Sequence, residues 1–216
     1  MMTQELDGYI LDHIDAESDY LSALYRSAYI HLVNPRMSSG HLQGRLLKML
    51  VQMVHPRRIL EIGTYAGYSA LCMAEGLDDD GRIITFEIDD ELEEFTRPWI
   101  EGSPVGHRVR FIIGDALQMV PTMDELFDFA FIDGDKRQYP AYYELALRYT
   151  TPEAYILADN TLWNGHVVHD DYLREPQTSA ILAFNDRVAA DPRVEKVILP
   201  LRDGLTIMKK LALPNP

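Results

Sequence analysis

Apolar positions in the first quarter of the chain recur at helical spacing. Leu6, Ile10 and Ile14, then Leu21, Leu24, Tyr25 and Ala28, each mark one face and predict helices within residues 3–33. Asp15-Ala16-Glu17-Ser18-Asp19 interrupts that pattern and offers Ser18 or Asp19 as the cap of the second helix. A loop at 34–40, punctuated by Pro35 and Gly40, leads into a third helix at about 41–54. Leu42, Leu46, Leu47, Leu50 and Val51 share its apolar side, and His55-Pro56 ends it.

From Arg57 the pattern changes to short apolar runs alternating with helical segments. The runs at 59–62, 83–88, 109–113, 127–132 and 155–158 have the length of buried strands. Helical spacing fills the intervals at about 68–77, 91–101, 116–126 and 139–150. This alternation predicts an α/β fold, a mostly parallel sheet with helices on both faces. A helix at about 178–190 and strands at 194–199 and 205–209 complete the chain. Pro200-Leu201-Arg202-Asp203-Gly204 is too short for a crossover, so the last two strands form an antiparallel hairpin. With no repeat or linker, residues 1–216 read as one domain, helical over 1–55 and an α/β core over 57–211.

Composition narrows the classes. An apolar fraction of 47% and a charged fraction of 25% are those of a soluble globular protein. The N-terminus lacks a basic stretch followed by an apolar core, and no run is long enough to span a bilayer. A single cysteine, Cys72, sits in an apolar helical pattern as a packing residue. A cytoplasmic location is the expectation. The net charge of −14 works against a surface that grips nucleic acid.

Chemistry gathers where strands end, because ligands of open parallel sheets bind beyond the carboxyl ends of the strands. The first strand runs into Glu61-Ile62-Gly63-Thr64-Tyr65-Ala66-Gly67-Tyr68-Ser69, a glycine turn leading to a helix start. Its Gly-x-x-x-Gly spacing differs from the pyrophosphate-binding Gly-x-Gly-x-x-Gly. Glu87 closes the second strand, in the place of an acid that binds ribose hydroxyls. A nucleoside cofactor without pyrophosphate meets both conditions, and S-adenosylmethionine is one. Gly114-Asp115-Ala116, after the third strand, could line an adenine pocket.

Asp133 follows the fourth strand, and Asp159-Asn160 the fifth. Oxygen donors alone suit Mg²⁺, Mn²⁺ or Ca²⁺, whereas zinc recruits His or Cys. Taken singly, a strand-end acid is more often a helix cap; the pairing on adjacent strands argues for metal. Lys136 lies three residues beyond Asp133. Like-charge repulsion beside a divalent cation favours a neutral amine, the form a general base requires. The histidines form no i, i+4 ligand pair, and only His166 falls near the proposed metal.

The runs 61–69, Phe131-Ile132-Asp133-Gly134-Asp135-Lys136 and Asp159-Asn160-Thr161-Leu162-Trp163-Asn164-Gly165 resemble the cation-dependent O-methyltransferases, a family that includes the caffeoyl-CoA and catechol enzymes. The likeness spans about residues 34–210. It implies a Rossmann-like methyltransferase fold, a seven-stranded sheet whose last strand is antiparallel, with extra N-terminal helices. It implies Asp133, Asp159 and Asn160 as metal ligands and Lys136 as base. Glu61, Gly63, Tyr65 and Ser69 match contacts around the methionine of S-adenosylmethionine, Glu87 the ribose acid and Ala116 an adenine-side contact. Met37 and Ser39 match a loop that closes over cofactor and metal, and a homodimer is expected. Where the animal catechol enzyme carries gating tryptophans, this chain has Pro35 and Asp135, and Arg36, His166, Tyr172 and Arg174 suggest a polar mouth.

The expected reaction is methyl transfer to a vicinal-diol, catechol-like small molecule. A relative's reaction on tRNA hydroxyuridine is the alternative, for which Arg36, Arg45 and Lys48 would have to form a local basic patch. An NAD-dependent dehydrogenase is opposed by the glycine spacing, and a non-catalytic binding protein by the filled ligand and base positions.

Overall fold

The computed structural model describes residues 4–212. Helices α1 (Gln4–Asp12) and α2 (Asp19–His31) precede a 3₁₀ turn, Pro35–Met37, and α3 (His41–Val54). The expected break holds: the Ser18 hydroxyl caps α2 by accepting from Leu21 N at 3.3 Å. Leu21, Leu24 and Ala28, the face read from spacing, are all buried.

The core then runs β1 (Arg58–Ile62), α4 (Tyr68–Ala74), β2 (Arg82–Glu87), α5 (Glu93–Glu101), β3 (Val109–Ile113), α6 (Ala116–Met119), β4 (Phe127–Ile132), α7 (Tyr139–Tyr149), β5 (Thr150–Ala158), α8 (Pro176–Ala190), β6 (Val194–Leu199) and β7 (Leu205–Lys210). One seven-stranded sheet has the order β3-β2-β1-β4-β5-β7-β6. The strands β1 to β5 pair in parallel, and β7 is antiparallel to both of its neighbours.

Period-two alternation sends successive side chains to opposite faces. Leu60, Ile84, Ala130, Ile132 and Ile156 pack under α6, α7 and α8 with Tyr139, Tyr143, Ile181 and Phe184. Ile59, Ile83, Phe129, Phe131 and Leu157 pack under α3 and α4 with Leu47, Val51 and Met73. Both faces are therefore covered, as uninterrupted apolar strands require. Helix α2 adds an outer layer over α4, in which Cys72 is wholly buried. No described helix is long and apolar enough to cross a membrane.

Two elements differ from expectation. The helix predicted at 116–126 stops at Met119 and tightens into a 3₁₀ turn, Val120–Thr122. Pro121 cannot donate to the preceding turn, and the Thr122 hydroxyl takes up the Met119 carbonyl instead. Strand β5 begins at Thr150, well before residue 155. Phe127 pairs with Thr150 but Phe129 with Tyr155, so residues 151–154, containing Pro152, form a bulge.

Candidate active site

The sheet reverses its direction of growth between β1 and β4, and the ends of these strands meet there. Gly63 leaves β1 with φ +96°, and a Cβ at this position would lie 2.4 Å from the carbonyl oxygen of Asp133. Only glycine permits so close an approach of the β1 turn to the end of β4. Asp133 N donates to Ile62 O at 2.8 Å, and Asp159 N donates to Ile132 O at 3.0 Å. These bonds continue the sheet one residue beyond β4 and β5, which sets Asp133 and Asp159 side by side.

Glu61 is 0% exposed, inside the sheet end. Its Oε1 accepts from the Ser69 hydroxyl at 2.6 Å, while Oε2 has no protein partner. Burial pushes its pKa up to about 8; the Ser69 and Thr85 hydroxyls oppose this and the charges of Asp133 and Glu87 add to it. The Tyr65 hydroxyl and the Ser38 hydroxyl are likewise buried without a partner. Buried polar atoms are rarely left unpaired in a folded protein. An unpaired carboxylate oxygen at the end of β1, with an unpaired hydroxyl in the turn that follows, has the chemistry to hold an ammonium such as that of S-adenosylmethionine.

Glu87, at the end of β2, is buried and ties the turn down. Its Oε2 accepts from Thr64 N at 3.2 Å and Tyr65 N at 2.8 Å, and its Oε1 from Asp89 N at 3.1 Å. The Asp115 carboxylate caps α6 by accepting from Leu117 N at 2.9 Å, the role that a strand-end acid most often has, and Ala116 beside it is buried. Met37 is exposed at the end of its 3₁₀ turn, whereas Ser39 is buried.

At the neighbouring strand ends, Lys136 Nζ donates to Asp133 Oδ1 at 2.6 Å and to the Tyr139 hydroxyl at 2.8 Å. The Tyr139 hydroxyl donates to the Asp159 backbone carbonyl at 2.8 Å, and burial together with the two aspartates holds its pKa well above the ordinary phenol value. It is a fixed neutral hydrogen-bond relay. Burial raises the Asp133 pKa to about 6; Lys136 opposes the shift and the like charge of Asp159 adds to it. Asp159 Oδ2 accepts from Gln43 Nε2 at 2.7 Å, and Oδ1 from Asn160 N at 2.8 Å.

Asn160 takes a left-handed φ of +56°, which asparagine tolerates. Among the described residues no set of three His, Cys, Asp or Glu side chains converges. The donor set is two crowded carboxylates and one amide. Hard oxygen donors under mutual repulsion fit a divalent cation such as Mg²⁺, with Asp133, Asp159 and Asn160 to hold it.

Sequence reading missed three residues here. Gln43 looked like an ordinary helix residue, Tyr139 like core, and Arg202 like a hairpin residue; none carries a motif. Arg202 donates from the β6–β7 turn to the carbonyls of Arg36, Ser38 and Ser39, pinning the 36–39 loop. His166 stacks on Tyr172, with ring centroids 3.8 Å apart, and approaches Glu175. Of the three basic residues that the tRNA alternative would need as a patch, Arg45 and Lys48 are both engaged by Glu75. Arg45 is 9% exposed and pairs with Glu75, which Lys48 also reaches, because a carboxylate on α4's end faces both.

A family model described as O-methyltransferase matches residues 12–211. Caffeoyl-CoA O-methyltransferase 2 of Zea mays is 36% identical over 98% of this chain and 84% of its own length. The caffeoyl-CoA O-methyltransferase of Petroselinum crispum is 35% identical over 82% of this chain and 78% of its own. Among solved structures, the O-methyltransferase from Bacillus cereus in complex with SAH superposes with a TM-score of 0.87 at 32% identity, covering 95% of this chain and 97% of that one. TomG from Streptomyces achromogenes, an O-methyltransferase involved in tomaymycin synthesis and solved with SAM, gives 0.88 at 28% identity over 98% and 100%. With a seven-stranded sheet of this topology and a family match over nearly its whole length, the chain belongs to the O-methyltransferase family, in the caffeoyl-CoA O-methyltransferase type.

Proposed function

We propose that the chain transfers a methyl group from S-adenosylmethionine to one hydroxyl of a vicinal-diol, catechol-like small molecule, at a divalent-cation site formed by Asp133, Asp159 and Asn160. The observation that carries this reading is the side-by-side setting of the Asp133 and Asp159 carboxylates at adjacent strand ends, Asn160 following in the chain, with the partnerless Glu61 Oε2 on the next strand. Structures of relatives solved with SAH or SAM support the cofactor half.

Each residue then has a task. Glu61 Oε2 and the Tyr65 and Ser38 hydroxyls receive the amino-acid end of the cofactor; Ser69 holds Glu61 in place. Glu87 fixes the Gly63–Tyr65 turn and turns its remaining lone pairs toward the ribose. Ala116 lies on the adenine side, and the 37–39 segment covers the cofactor. Asp133, Asp159 and Asn160 would hold the cation, which would supply positive charge to stabilise an acceptor oxyanion. The Lys136 ammonium, held by Asp133 and the Tyr139 hydroxyl, first gives up a proton to solvent, and the resulting amine takes the acceptor's proton on Nζ. The acceptor oxygen attacks the sulfonium methyl in a direct displacement, and the chain's contribution is chiefly alignment.

The test is a screen with labelled S-adenosylmethionine and Mg²⁺ against catechols, caffeoyl esters and bulk tRNA. Label on a vicinal diol, and none on tRNA, is the expected result. Label on tRNA alone, fading as salt rises, would replace the small-molecule reading.

A further inference from the structure

We infer that Gln43 is a positioning residue for the cation site, its amide, oriented by Arg202, fixing the Asp159 carboxylate. The inference rests on the cation-site reading given above. Gln43 stands in the first turn of α3, on the buried side that continues through Leu47 and Val51, and is 0% exposed. A primary amide in such a place costs stability unless both of its ends are hydrogen-bonded. Both are. Nε2 donates to Asp159 Oδ2 at 2.7 Å, and Oε1 accepts from Arg202 Nη1 at 3.4 Å.

These two partners fix which end of the amide faces which. The reverse orientation would set oxygen against carboxylate and NH₂ against guanidinium, two repulsive contacts in place of two attractive ones. Asp159 is itself 2% exposed, and its two protein donors are Gln43 Nε2 and Asn160 N. Each oxygen spends one lone pair on a donor and keeps another for a cation. Gln43 thereby sets the plane of the carboxylate without occupying it.

The guanidinium that orients Gln43 also holds the carbonyls of Arg36, Ser38 and Ser39. The loop over the cofactor region and the proposed metal ligand are thus joined through two side chains, Arg202 and Gln43. An apolar residue at position 43 would pack as well against the core but would leave the buried Asp159 Oδ2 without its donor, the carboxylate held by Asn160 N alone. Such outer-sphere partners of metal ligands govern affinity as well as orientation.

The experiment is Mn²⁺ binding followed by electron paramagnetic resonance on the free protein, with no acceptor and no turnover. Gln43→Met, which keeps length and volume but has no donor, is expected to weaken Mn²⁺ binding by about 10–100-fold. The zero-field splitting of the ion that still binds should change as well, which a purely structural role would not produce. SAH binding by calorimetry reports that the variant is folded; should it not fold, Gln43→Asn, with its amide one methylene short, is measured in its place. Asp159→Ala is the control and is expected to lose Mn²⁺. Wild-type affinity and line shape in the position-43 variant, with Asp159→Ala having lost the ion, would overturn the role of Gln43. Undiminished Mn²⁺ binding by Asp159→Ala would instead overturn the cation site.

Discussion

Glu61 offers the sharpest quantitative test of the cofactor pocket. Burial lifts its pKa to about 8, so at pH 7 about 0.9 of the free chains carry the proton. The α-ammonium of SAH, beside its own carboxylate, is charged already at this pH. Pairing that ammonium with the partnerless Oε2 requires the carboxylate form, so binding at pH 7 releases about 0.9 proton. At pH 9 Glu61 is already ionised, and its release falls to about 0.1 proton. Calorimetry of SAH binding in buffers of different ionisation enthalpy reads both numbers directly. Glu61→Gln should remove the release at pH 7 and weaken binding by about 10–100-fold, the worth of a hydrogen bond to a charged group. The reasoning is refuted if the wild-type chain shows no proton release at pH 7, or if Glu61→Gln reproduces the wild-type linkage.

Three further outcomes follow from particular contacts. Lys136→Ala should lower the single-turnover rate by about 10²–10⁴-fold, as expected for loss of a general base, and an unchanged rate would remove Lys136 from the mechanism. Gly63→Ala should cost about 2–5 kcal/mol in urea unfolding, since its Cβ would sit 2.4 Å from backbone at φ +96°; a loss under 1 kcal/mol would show that the turn relaxes. Asp191 is held down to about 2, first by its hydrogen bonds from Arg193. Its folded pKa lies below the unfolded one, so its contribution is full above about pH 4 and fades as pH falls toward 2. Asp191→Asn should flatten stability over that acid window, and an unchanged acid limb would contradict this.

The fold was legible because burial on both faces leaves uninterrupted apolar strands, and these are short enough to be told from helices. Strand ends were legible too, since Gly63, Asp133 and Asp159 each follow directly on such a run and Glu87 stands at the end of one. The bulge at 151–154 was not, because Pro152 reads as a strand break, and only pairing with β4 shows that the chain resumes across it. Nor did α6 end where periodicity continued, because Pro121 removes a donor that apolar spacing does not register. Gln43, Tyr139 and Arg202 were invisible for a different reason. Their work depends on contacts across 116, 20 and 163 residues of sequence, and no local pattern encodes such distances.

The proposed reaction is methyl transfer at a divalent-cation site on Asp133, Asp159 and Asn160. Its most direct measurement is the rate of transfer to a vicinal diol in excess EDTA, followed by restoration of Mg²⁺. Turnover should fall to background in the chelator while SAH still binds, and return with the cation. Full turnover in excess EDTA would contradict the proposal.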